Sequence, residues 1–129
     1  MNCPKCQALM EAVSFDGVTV DRCTGCKGIW FDANEQKKLA DAKGSEAIDT
    51  GDVNVGREMN EMTGVNCPRC QQPMVQMEDV DQHHITYEAC LACKGIFLDA
   101  GEFKDLKNYT LMDYLRGLFN HKAKKKLVI

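Results

Sequence analysis

Four C-x-x-C pairs account for all eight cysteines of this 129-residue chain: Cys3/Cys6, Cys23/Cys26, Cys67/Cys70 and Cys90/Cys93. Two residues between cysteines let a tight turn aim both thiolates at one ion. Two such turns at the ends of a hairpin supply four sulfurs, and Zn²⁺ takes tetrahedral sulfur at about 2.3 Å. Sixteen residues separate the first pair from the second, and 19 separate the third from the fourth. Both intervals fit the zinc spacing, and no cysteine is left over.

Other chemistries suit cysteine pairs less well here. The sequence shows no secretory signal and no long apolar span, so the expectation is a soluble, cytoplasmic protein whose thiols stay reduced. Disulfides are then disfavoured. "CPKC" resembles a redox pair, but a thioredoxin-like site needs a βαβ scaffold that neither half of the chain can hold. Iron remains the rival ion, because an all-sulfur site also suits it. Four cysteines also close the coordination shell, whereas catalytic zinc keeps a position open for water. The expectation is two Zn²⁺ ions, no enzyme activity and no small-molecule substrate.

The chain repeats itself. "CKGIWFDANE" at 26–35 returns as "CKGIFLDAGE" at 93–102, an offset of 67 residues. Repeat one spans 1–43 and repeat two 66–107. In repeat one, "ALMEAVSF" and "VTVDRC" flank Asp16-Gly17, a strong hairpin signal. Repeat two has the same pattern around a longer turn containing His83 and His84, which is read as solvated rather than as a ligand or interaction site. "GIWFD" and "GIFLD" suit a third strand, and a short helix should follow each. Asp32 and Asp99 are placed as N-caps, with Glu35 and Glu102 completing capping boxes, a better reading than acid–base carboxylate pairs. Gly28 and Gly95 are assigned to the backbone turn after each last cysteine. Residues 44–65, rich in glycine and acids, are expected to form a flexible linker with a helical turn around Arg57–Met62.

The motifs "CPKC…CTGCKGIWFDANE" and "CPRC…CLACKGIFLDAGE" resemble the transcription-factor-IIB-type zinc ribbon family. The resemblance implies a small, metal-stabilised, mainly β fold: two tandem zinc ribbons, each a three-stranded antiparallel sheet with a short helix. It makes Cys3, Cys6, Cys23, Cys26, Cys67, Cys70, Cys90 and Cys93 the metal ligands. The family name implies a transcription-related role. Asn34 stands where the family usually has Gly, and Gln36 and Phe103 stand where it usually has Leu.

Aromatic residues make up only 7% of the chain, so each repeat has little material for a core. Trp30 and Phe97 hold equivalent positions. They are either stacking platforms for a base or core residues, and the small core favours the latter. Leu111, Tyr114, Leu115, Leu118 and Phe119 form the stripe of an amphipathic helix over 108–120, either docked on the second ribbon or open to a protein partner or a second copy. Charge is uneven. Residues 1–115 carry a net −8, whereas 116–129 contain Arg116, Lys122, Lys124, Lys125 and Lys126 and no acid. The basic tail, 121–129, suits a nucleic-acid phosphate backbone, and the acidic body does not. Two functions are therefore expected: a nucleic-acid-associated module, or a protein–protein adaptor built on the ribbons and the C-terminal helix. A redox enzyme is a third reading, open only if the cysteines are metal-free.

Overall fold

A computed structural model of the protein describes residues 1–78 and 85–107. Strands β1 (Met10–Phe15) and β2 (Val18–Cys23) form the first hairpin. Asp16 and Gly17 both have positive φ, at 51° and 82°, the backbone that a two-residue hairpin turn requires. Strands β4 (Val75–Glu78) and β5 (Thr86–Ala89) form the second hairpin, in register from Val75 opposite Ala89 to Glu78 opposite Thr86. Each hairpin adds its predicted third strand, β3 (Ile29–Phe31) or β6 (Ile96–Leu98).

The two ribbons do not stop at three strands each. Strand β3 pairs antiparallel with β6, with Trp30 opposite Phe97, so the sheet runs β1-β2-β3-β6-β5-β4 without a break. An unpaired third strand would leave its N–H and C=O groups open on an edge, and each ribbon closes the edge of the other. The repeats are thereby related by an approximate twofold axis through the Trp30–Phe97 pair.

One face of this sheet carries Val20, Ile29, Phe31, Tyr87, Ile96 and Leu98. It is covered by Leu39 of helix α1 (Glu35–Ala40) and by Phe103, which belongs to the equivalent helix at 102–107. Phe103 stacks at 5.3 Å on Phe31, so its departure from the usual Leu joins the two ribbons. The opposite face carries Trp30, Phe97 and the cysteines.

Residues 44–65, expected to be a flexible linker, are instead built into the fold. A 3-10 turn at Ser45–Ile48 buries Ile48, and helix α2 (Val53–Asn60) follows, capped by the Asp52 side chain on the Asn54 N–H. Buried Asp49 accepts hydrogen bonds from the N–H groups of Gly101 (2.9 Å) and Lys104 (3.0 Å). Gly56 lies so close to Ala100 that an added Cβ would meet its carbonyl oxygen at 2.0 Å. The glycines that suggested mobility serve close approach. The C-terminal helix, the basic tail and the turn with His83 and His84 lie outside the described residues.

Candidate metal centres

Each four-cysteine set comes together at one end of its ribbon. The first pair sits ahead of the hairpin, and the second pair sits in the turn that leads to the third strand. Gln7 and Gln71 follow the first pairs and Lys27 and Lys94 follow the second, all four with positive φ of 61–69°. These residues, rather than the glycines beside them, make the left-handed turns. Cys23 N–H bonds to the Gly28 carbonyl at 2.8 Å, and Cys90 N–H to that of Gly95 at 3.0 Å, which closes both turns.

The sulfurs of each set lie within 4.8 Å of one another. Cys3 to Cys26 and Cys67 to Cys93 are both 3.8 Å, while Cys6 to Cys23 is 3.3 Å. A tetrahedron with metal–sulfur bonds of about 2.3 Å has edges of about 3.8 Å, so the cages fit zinc. Backbone N–H groups also converge on sulfur. Lys5 and Cys6 N–H point at Cys3, Gly25 and Cys26 at Cys23, Arg69 and Cys70 at Cys67, at 3.2–3.5 Å. Such donors stabilise thiolate over thiol. The hydrogen bond shared by Cys3 and Cys26 does most to bring the Cys3 thiol down to about 5, against the opposing effect of burial, and it pushes Cys26 up. No cysteine forms a disulfide.

The residue inside each first pair reaches across to the other ribbon. Lys5 is fully buried. Its Nζ lies 2.8 Å from Asp99 Oδ2 and 3.1 Å from Glu88 Oε1, donates to the Met59 carbonyl at 3.0 Å, and sits 5.7 Å over the Phe97 ring. The Glu88 contact is an ion pair by distance without hydrogen-bond alignment, so both Glu88 oxygens and Asp99 Oδ1 lack hydrogen bonds among the described residues. Arg69, the counterpart of Lys5, grips Asp32 through Nε (2.5 Å) and Nη2 (2.9 Å), and lies 3.6 Å from Asp21. This second cluster is half exposed. Burial pushes the Asp32 carboxyl up, but the Arg69 and Trp30 hydrogen bonds outweigh it and hold Asp32 below its usual value. In the first cluster burial wins, raising Asp99 to about 6 despite Lys5.

These contacts revise the capping assignment. Glu35 and Glu102 do accept from the backbone N–H groups of Asp32 and Asp99, at 2.9 and 3.1 Å, as a capping box requires. The Asp carboxylates do not cap. They turn to Arg69 and Lys5 instead, and the N-cap of α1 is Asn34, whose φ of 71° matches the left-handed backbone of Gly101. Asn tolerates that conformation, which explains how it replaces Gly there.

Trp30 and Phe97 are both fully buried and offer no face to a base. Each packs on the opposite ribbon. A Cβ on Gly95 would lie 2.2 Å from Trp30, and a Cβ on Gly28 would lie 2.3 Å from Phe97. The glycines conserve space for these rings as well as closing the turn. Arg116, Lys122, Lys124, Lys125 and Lys126 lie outside the described residues. Sequence reasoning missed Lys5, Arg69, Asp21 and Glu88. Their signal was present: a base inside each C-P-x-C and an acid two residues before Cys23 and Cys90.

Two cysteine-caged hairpins of this form define a tandem zinc ribbon. The family described as Transcription factor zinc-finger matches residues 2–42 and 66–109, well over half of the chain, and the protein belongs to that family. No curated protein and no solved structure matches the chain. The two cysteine cages are accordingly zinc sites, one Zn²⁺ per ribbon. When bound, the ion ties four chain segments together through their thiolates, and in small zinc peptides this supplies roughly 10–16 kcal/mol toward folding.

Proposed function

We propose that the protein is a non-enzymatic, transcription-related zinc-ribbon module that associates with nucleic acid through its basic end. The observation that carries this reading is the separation of charge. Residues 1–115 hold a net −8 and 116–129 hold five bases without an acid. Each zinc with four thiolates adds a further charge of about −2 to the body. Trp30 and Phe97 are buried and do not serve as stacking platforms, and the reading assigns the phosphate contacts to Arg116, Lys122, Lys124, Lys125 and Lys126. Contacts of this kind hold a backbone without reading its sequence. The family description supports the transcriptional context. The complete sulfur cages leave no open position on the metal, which supports a binding role rather than hydrolysis.

The test is binding of the zinc-loaded protein to labelled single- and double-stranded oligonucleotides at about 50 and 200 mM salt, where phosphate contacts weaken steeply. Expected is salt-sensitive binding that is lost when the chain is truncated after Asn120. Absence of binding at the lower salt overturns the proposal. A protein–protein adaptor is then the reading that remains.

A further inference from the structure

The apolar face of the sheet is covered differently at its two ends. In the first ribbon the chain leaving α1 turns back over β1 and β2. Ile48 packs there with Val20 and Ile29, and Val13 and Phe15 are half-buried against the same cluster. Arg22 Nη1 fixes this turn by donating to the Ile48 carbonyl at 3.0 Å. In the second ribbon the matching strands leave Val75 and Met77 at 38% and 40% exposure. A groove of about 450 Å³ opens beside them, lined on the second ribbon by Met77, Tyr87, Ala89, Leu91 and Ile96, and on the first ribbon by the segment 32–37, which includes Asp32, Asn34, Gln36 and Lys37. It stands where the twofold relation would place a second Ile48.

We propose that this groove is filled in cis by residues 111–119 of the same chain. The repeat offset of 67, measured from Cys26 to Cys93, carries Ile48 onto Leu115. Leu115 is the middle of the stripe Leu111, Tyr114, Leu115, Leu118 and Phe119, so the repeat register and the amphipathic pattern select the same residue. Reach is not in question, because Leu115 follows Lys107 by as many residues as Ile48 follows Ala40. The apolar wall of the groove matches an apolar stripe, and burying Met77 and Leu91 removes apolar surface from water. The correspondence ends after Leu115. Arg116 falls at the place of Asp49 and Leu118 at that of Gly51, so the carboxylate bond to helix N–H groups and the glycine contact are not repeated. The docking is by apolar contact.

The experiment uses the full zinc-loaded chain with ¹³C-methyl-labelled methionine and a soluble paramagnetic agent. Met62 serves as the internal reference, since it is 39% exposed against 40% for Met77. With the groove filled, the Met77 methyl relaxes several-fold less than that of Met62, and the difference disappears in Leu115→Glu and in Leu118→Glu. Zinc content confirms that both variants keep their ribbons. Equal relaxation in the wild type overturns the proposal, as does protection that survives both substitutions. Protection that grows with protein concentration also overturns it, by assigning the groove to a second copy.

Discussion

Replacing Lys5 by methionine removes the ammonium that neutralises Glu88 and Asp99 while keeping most of the buried volume. All three side chains are at most 1% exposed, and both Glu88 oxygens lack hydrogen bonds among the described residues. Removing one partner of a buried ion pair leaves the other charge uncompensated, which typically costs about 3–5 kcal/mol. The lower end applies here, because Asp99 is already raised to about 6 and takes up a proton readily when its cation is gone. The expected loss is therefore about 3 kcal/mol near neutral pH. Arg69→Met is the matched control at the equivalent position. Its ion pairs are 46% exposed on the arginine side, so about 1 kcal/mol or less is expected. The assay is urea unfolding of the zinc-loaded protein at fixed zinc concentration, followed by fluorescence of Trp30, the single tryptophan. Zinc content of each variant separates lost pairing from lost metal. Glu88→Gln should restore part of the stability of Lys5→Met, since one orphaned charge is then absent. A Lys5→Met loss no larger than that of Arg69→Met, or a Glu88→Gln change that is equal in both backgrounds, refutes the reasoning.

Three further outcomes follow from the same contacts. Chelation should remove two zinc ions per chain and abolish the sheet signal together with the buried-tryptophan spectrum, because the metal closes both hairpins. Retention of the fold after complete chelation, or a content of one ion, contradicts that account. Gly95→Ala places a Cβ where Trp30 lies at 2.2 Å, and it should destabilise by about 1–3 kcal/mol through overpacking. Unchanged unfolding midpoints would show that the ring can yield. Glu102 is raised by burial and by the Asp99 charge from 4.5 to about 8, so the folded protein keeps a proton that the unfolded chain has lost across that window. Wild-type stability therefore falls with rising pH there, and Glu102→Gln should gain on the wild type between pH 5 and 8. A stability difference that is flat with pH contradicts the assignment.

The zinc cages were legible because ligand spacing is a local property: two residues within a pair and a hairpin between pairs leave few alternatives. The Asp16-Gly17 turn and the third strands were legible for the same reason. What stayed hidden was every contact between the repeats. Pairing of β3 with β6 joins residues 65–69 positions apart, and no short pattern marks it. The acids Asp32 and Asp99 satisfy a local capping rule, and nothing local marks their long-range partners, Arg69 and Lys5. Glycines in 44–65 suggest freedom by composition alone, though Gly51 and Gly56 are required by close approach to Ala100. Trp30 and Phe97 were ambiguous because a lone ribbon would expose such a ring, and only the second ribbon hides it.

Antiparallel pairing of β3 with β6 makes the chain a dimer within one polypeptide. Two separate ribbons would have to find each other in solution, whereas a short tether holds the second at an effective concentration in the millimolar range. Dilution then cannot part them, and the halves are released from having to match. A self-associating ribbon would need one sequence to serve both roles at the junction. Here one side uses a buried lysine under phenylalanine, and the other uses an exposed arginine beside a tryptophan that donates to Asp32. Tethering has allowed two copies of one unit to become complementary instead of identical.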